Sequence, residues 1–171
     1  MQVTQHGEYL TKITKWRSMN CYLVREEDGL TLIDALMPGS EDGILEAAQQ
    51  LGAPIVRILV THAHVDHVGS VDALHKTLPE AEVIFPGRSA RFLAGDQSLD
   101  PDESEGELRG GYVEINTRPD RTIEAGERVG SLEAFAAPGH TPGQMAYLDT
   151  RDRTLIVGDA WQTLGGVAIS G

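Results

Sequence analysis

Val60-Thr61-His62-Ala63-His64-Val65-Asp66-His67-Val68-Gly69 places three imidazoles and one carboxylate within six residues. It follows directly on Ile55-Val56-Arg57-Ile58-Leu59-Val60, a short, mostly apolar and β-branched run of the kind that forms a buried strand. The histidines therefore fall where a strand ends and a loop begins. Beyond them Val68, Val71, Leu74 and Leu78 recur at spacings of three and four, the apolar stripe of a helix running to about Leu78. Buried imidazoles and carboxylates are costly unless bonded or paired, and packed together they would repel on protonation. A divalent cation removes that conflict, because zinc and its neighbours take His nitrogen and Asp oxygen at about 2 Å. The spacing H-x-H-x-D-H does not suit ligands on one helix face, which lie three or four residues apart. It suits a tight loop that turns two alternating imidazoles toward one point and the next Asp-His pair toward a second.

Upstream, residues 1–38 read as strands. Tyr9-Leu10-Thr11-Lys12-Ile13-Thr14, Asn20 to Val24 and Leu30-Thr31-Leu32-Ile33-Asp34 are apolar or β-branched, and Glu26-Glu27-Asp28-Gly29 is a turn between the last two. This predicts an N-terminal antiparallel meander, with Trp16 in its core or on its rim. Pro38-Gly39 ends it, and Ser40 is placed to cap a helix from Glu41 to Leu51 whose apolar face is Ile44, Leu45, Ala48 and Leu51. A strand at Glu82-Val83-Ile84-Phe85 after the histidine loop and its helix predicts parallel pairing under a covering helix. Ser89 is placed to cap a short helix through Arg91, Phe92 and Leu93.

Residues 95–107 are acidic and nearly without apolar side chains, a composition that reads as a solvated loop or as a lid beside the site. Strands resume at Tyr112-Val113-Glu114-Ile115. Thr122-Ile123 and Arg128-Val129 flank a turn, and Leu132 to Ala136, Met145 to Leu148 and Thr154 to Val157 follow. Asp149 to Arg153 forms the turn between the last two. His140 stands between Pro138-Gly139 and Thr141-Pro142-Gly143, where rigid and permissive backbone can aim a strand-end imidazole inward. Asp159 ends an apolar strand after Gly158.

A length of 171 residues suits one domain spanning 1–171, with no internal repeat. The net charge of −12 and the scattered Lys and Arg argue against nucleic-acid or anionic-membrane partners. No apolar run approaches the length of a membrane span. A lone Cys21 in an apolar stretch reads as core filler and points to a cytoplasmic location.

The motif H-x-H-x-D-H, with the Thr before it and Gly69 after it, resembles the signature of the metallo-β-lactamase superfamily. Asp34 in Leu32-Ile33-Asp34-Ala35, the segment Pro138 to Gly143 and Val157-Gly158-Asp159 match further motifs of that family in the same order. The resemblance implies an α+β fold, the αββα sandwich of the metallo-β-lactamase type. It implies His62, His64 and His140 on a first cation, and Asp66, His67 and Asp159 on a second, with Asp159 shared and Asp34 orienting an imidazole from behind. The family takes a further histidine for the second cation from its C-terminal portion. No histidine follows His140 here, so the end at Gly165–Gly171 reads as that of a fragment lacking part of the C-terminal half. His6 and His75 stand apart from the set.

The activity implied is hydrolysis of an ester, thioester, lactone or β-lactam type of small-molecule substrate by a metal-bound hydroxide, with Asp66 orienting it or moving its proton. One or two Zn2+ ions per chain are expected, with iron or manganese as alternatives. Two rival readings follow from the same residues: a mononuclear iron persulfide dioxygenase using His62, His140 and Asp159, and a truncated metal-binding or partner-binding domain without turnover.

Overall fold

A computed structural model describes residues 1–101, 103, 108–162 and 168–169. The N-terminal meander is β1 (Gln2–His6), β2 (Leu10–Lys15), β3 (Met19–Arg25) and β4 (Leu30–Ile33), paired antiparallel in that order. Helix α1 (Glu41–Gln50) then returns the chain to β5 (Ile55–Leu59), which lies parallel to β4. Helices α2 (Val65–Val68) and α3 (Val71–Thr77) return it to β6 (Glu82–Pro86), again parallel. Helix α4 (Gly87–Leu93) and a long connection lead to β7 (Arg121–Ile123), parallel to β6, completing a seven-stranded sheet in chain order. Parallel strands joined by crossovers end on the same side, so the C-terminal ends of β4, β5 and β6 share one rim.

A second sheet, ordered β11 (Leu155–Ile156), β10 (Met145–Asp149), β9 (Leu132–Ala136), β8 (Arg128–Val129), is antiparallel throughout. Short β12 (Trp161–Gln162) pairs with β13 (Ala168–Ile169). Alternation along the first sheet divides its side chains between two cores. Cys21, Leu23, Leu32, Ile58, Val83 and Phe85 face Ile44 of α1, Leu74 of α3 and Phe92 of α4. Val24, Ile33, Leu59 and Ile84 face Leu132, Met145 and Tyr147 of the second sheet. Fully burying one such aliphatic side chain contributes about 1.5–3 kcal/mol, which is what presses the two sheets together beneath the rim. The described layers are thus helices, sheet and sheet. Among the described residues no helix covers the outer face of the second sheet, where Phe135, Leu155 and Trp161 line an apolar groove of about 440 Å³.

Several local expectations are corrected. The helix after the histidine loop is broken at Gly69-Ser70, where Gly69 packs against Pro38 so closely that an added Cβ would lie 2.3 Å from the proline Cδ. Ser70 Oγ is drawn to the Met37 carbonyl at 2.8 Å. Ser40 precedes α1 but makes no side-chain cap; its hydroxyl donates to the Met37 carbonyl at 2.6 Å and accepts from Lys15 Nζ at 2.7 Å. Ser89 lies inside α4, whose preceding residue is Pro86. Tyr112 to Ile115 is not a strand: Tyr112 makes a single bridge to His64. Strands β7 and β8 flank the expected turn but enter different sheets.

Trp16 is a rim residue at the β2–β3 turn, 66% exposed. Cys21 is buried in the core, and burial pushes its thiol pKa up. Asp102, residues 104–107, 163–167 and 170–171 lie outside the described residues, so the expectations for part of the acidic stretch and for the chain's last segment are not addressed. No helix among the described residues is long and apolar enough to cross a membrane.

Candidate metal centre

Both sheets hold the loop that follows β5. Val60 N donates to the Ile84 carbonyl at 3.4 Å, the Val60 carbonyl accepts from the buried Tyr147 hydroxyl at 2.7 Å, and the Thr61 carbonyl accepts from Met145 N at 3.0 Å. One strand over, Asp34 leaves β4 with φ of 62°, a left-handed conformation that Asp tolerates better than most residues. Its carboxylate, fully buried, accepts from Thr61 N at 2.7 Å and from Thr61 Oγ1 at 2.9 Å. His140 arrives from the β9–β10 connection, where Gly139 and Gly143 both take positive φ. Asp159 arrives just after β11. Gly158 before it has φ of 53°, and a Cβ there would lie 2.7 Å from Thr61 Oγ1. Three strand-end segments distant in sequence therefore meet at the rim.

Each imidazole of the central motif has one nitrogen tied from behind. His62 Nδ1 lies 3.0 Å from Thr61 Oγ1, and its Nε2 is buried with no partner. His64 Nε2 lies 3.0 Å from the Arg109 carbonyl, an acceptor only, so Nε2 carries the hydrogen and Nδ1 is bare. That Nδ1 is 3.1 Å from His140 Nε2. His67 Nδ1 lies 2.7 Å from Asp34 Oδ2, and its Nε2 is 3.3 Å from Asp159 Oδ1 and 3.7 Å from Asp66 Oδ2. His140 Nε2 is 3.6 Å from Asp159 Oδ2.

Two donor groups result. Donor atoms of His62, His64 and His140 lie within 4.8 Å of one another, as do those of His62, His67 and Asp159. His62 belongs to both. The structure thus brings together five of the six residues expected as ligands, with Asp34 behind them. Asp66 faces His67 but falls outside both tight groups, and its side chain is 31% exposed. His6, on exposed β1, and His75, on α3, stand outside both groups.

The electrostatics suit a cation. Burial, together with the neighbouring imidazoles of His67, His64 and His140, drives the His62 pKa far down, so this ring is neutral and its nitrogen is a free donor. Burial also lowers His64, with His140 adding to the effect. Burial opposes a charge on His67, but the Asp34 carboxylate and hydrogen bonds to Asp159 and Asp34 outweigh it and raise the ring to about 10. The bond from His67 holds Asp159 below the usual carboxylate range. An unpartnered buried nitrogen in a nest of imidazoles and carboxylates is costly by itself, and a divalent ion with nitrogen and oxygen preference would satisfy it. Thr61, which stands behind His62, and the Arg109 carbonyl had no assigned role in the sequence reading. Only the position of Thr61 beside His62 could have flagged it, since a backbone carbonyl leaves no side-chain signal.

A layered sandwich with such a donor nest at its parallel-strand rim is the architecture of a metallo-hydrolase fold. The chain belongs to the metallo-beta-lactamase superfamily, whose sequence model matches residues 14–166. It is 49% identical over 174 residues to YobT of Bacillus subtilis, an uncharacterized protein, covering all of this chain and 75% of that one. It is 33% identical over 131 residues to a hydroxyacylglutathione hydrolase of Chromohalobacter salexigens, covering 75% of this chain and 46% of the relative. Among solved structures it is similar to BJP-1, a subclass B3 metallo-beta-lactamase of Bradyrhizobium japonicum. That match has a TM-score of 0.68 and 27% identity, and covers 86% of this chain and 56% of that chain.

Proposed function

We propose that this protein is a two-cation hydrolase that cleaves an ester, thioester, lactone or β-lactam type of bond in a small molecule. The observation that carries the reading is that His67 and Asp159 gather donor atoms beside, and distinct from, the set His62, His64 and His140, with Asp66 facing His67. A mononuclear iron dioxygenase needs one such group, and the second favours hydrolysis. Similarity to a hydroxyacylglutathione hydrolase supports an acyl substrate, and the net charge of −12 disfavours a polyanionic one.

In this reading His62, His64 and His140 hold the first cation, and Asp66, His67 and Asp159 the second. Asp159 offers one oxygen toward His67 and the other toward His140, as a bridging carboxylate must. Zinc suits the mixed nitrogen and oxygen donors, with iron or manganese as alternatives. Such cations, when bound, supply Lewis acidity: they lower the pKa of a water toward about 7 and polarise a carbonyl oxygen. The chain's own part is to fix ring tautomers through Asp34, Thr61 and the Arg109 carbonyl, and to place the partly exposed Asp66 carboxylate where it can orient a water or accept its proton. A cytoplasmic location is in keeping with one buried, unbridged cysteine.

The test is to prepare His62→Ala and His64→Ala. Metal content would be measured by elemental analysis, and turnover on thioester, lactone, β-lactam and phosphodiester substrates. Loss of both metal and turnover is expected; wild-type values in both variants would refute the assignment. Oxygen uptake with a persulfide, and no hydrolysis, would favour the iron reading instead.

A further inference from the structure

We propose that Arg88 is a positioning residue for the first donor group: it locks α4 as a wedge between the segment backing His64 and the loop carrying His140. The inference rests on the reading of His62, His64 and His140 as ligands of one cation.

Arg88 is the second residue of α4, and its side chain is only 10% exposed. On one flank its guanidinium lies over the Phe92 ring at 4.0 Å. Phe92 packs on Tyr112 with ring centroids 4.7 Å apart, and Tyr112 stands edge-on to His64, also at 4.7 Å. The same segment bridges His64 by backbone pairing at Tyr112 and supplies the Arg109 carbonyl to His64 Nε2. Gly110 lies against the ring itself, where a Cβ would be 2.3 Å from Nε2. On the other flank Arg88 abuts Gly143, three residues past His140, and a Cβ on that glycine would lie 2.2 Å from Arg88 Cβ. Arg88 thus touches the His140 arm directly and reaches the His64 arm through Phe92 and Tyr112.

The acidic stretch is what fixes this wedge. Glu103 accepts from Arg88 Nε and Nη2, both at 2.6 Å, and the Ser98 carbonyl accepts from Nη2 at 2.7 Å. Arg91, one turn on, grips both oxygens of Asp100 at 2.8 Å and reaches Asp96. A seven-residue helix has little stability of its own, and α4 has no side-chain cap at its start. Phe92 and Leu93 anchor it in the helix-side core, and the fork between Arg88 and Glu103 adds directional bonds at its start. His64 Nδ1 and His140 Nε2 face each other at 3.1 Å, so a small shift of either arm spoils the first group. The second group is tied instead through Asp34 to the ends of β4 and β5.

The experiment compares zinc affinity at each site in the full chain, wild type against Arg88→Met, Arg88→Lys and Glu103→Gln. Chelator competition gives the affinities, and the absorption spectrum of the cobalt-loaded protein reports the geometry of the first site. About tenfold weaker binding of one of two cations is expected in Arg88→Met. An altered cobalt spectrum, the same direction in Glu103→Gln and partial recovery in Arg88→Lys should accompany it. Wild-type affinity and spectrum in both Arg88→Met and Glu103→Gln would overturn the proposal, as would equal weakening of both cations. Should Arg88→Met not fold, Glu103→Gln decides alone. A wild-type chain that binds no cation would sink the hydrolase reading itself, and this inference with it.

Discussion

Asp34 Oδ2 lies 2.7 Å from His67 Nδ1, and the same carboxylate holds the backbone and hydroxyl of Thr61, whose hydroxyl in turn meets His62 Nδ1 at 3.0 Å. One buried charge at the end of β4 therefore sets the orientation of two imidazoles at the end of β5. Asp34→Asn keeps the shape and tolerates the left-handed backbone, but it removes the charge and turns an acceptor into a donor. It is expected to weaken metal binding by about 10–100-fold, read by chelator competition. Unchanged affinity would show that the carboxylate does not organise the site.

Thr61→Val removes the relay alone. Valine has the same branching, so packing against Gly158 persists while Asp34 loses one donor and His62 Nδ1 its only neighbour among the described contacts. A hydrogen bond to a buried charge contributes about 1.5–3 kcal/mol. The expected outcome is a stability loss of that order in urea unfolding, with weaker binding at the cation that His62 serves. A variant as stable as wild type would refute it.

Asp72 on α3 accepts from the backbone and side chain of both Asn116 and Thr117 at 2.6–3.0 Å. Burial alone would raise its pKa, but these four donors outweigh that and hold it below the ordinary 3.8. A carboxylate depressed in the fold stabilises above its unfolded value and loses that contribution as pH falls through the folded one. Asp72→Asn should therefore lower stability at neutral pH and flatten the decline below about pH 3.8. Parallel acid-unfolding curves for the two proteins would contradict this.

The histidine loop, the meander and the second-sheet strands were legible because each depends on local pattern: alternation, turn residues and the clustering of donors. What was not legible depends on partners far along the chain. The turn 124–127 separates two strands that enter different sheets, and period-two alternation does not say which sheet a strand joins. The helix break at Gly69-Ser70 lies against Pro38, thirty-one residues earlier. Tyr112 looked like strand and is instead a prop for His64. The acidic stretch reads as solvated from composition alone, yet Asp96, Asp100 and Glu103 are gripped by Arg88 and Arg91 from a helix whose charges look scattered in sequence. Asp66 was expected among the tight donors and stands slightly apart.

The most direct measurement of the central claim is metal counting by elemental analysis on the purified full chain and on His62→Ala, the residue common to both donor groups. The account predicts about two divalent cations per wild-type chain and a marked fall in the variant. Equal metal content in the two proteins, or none in the wild type, would contradict it.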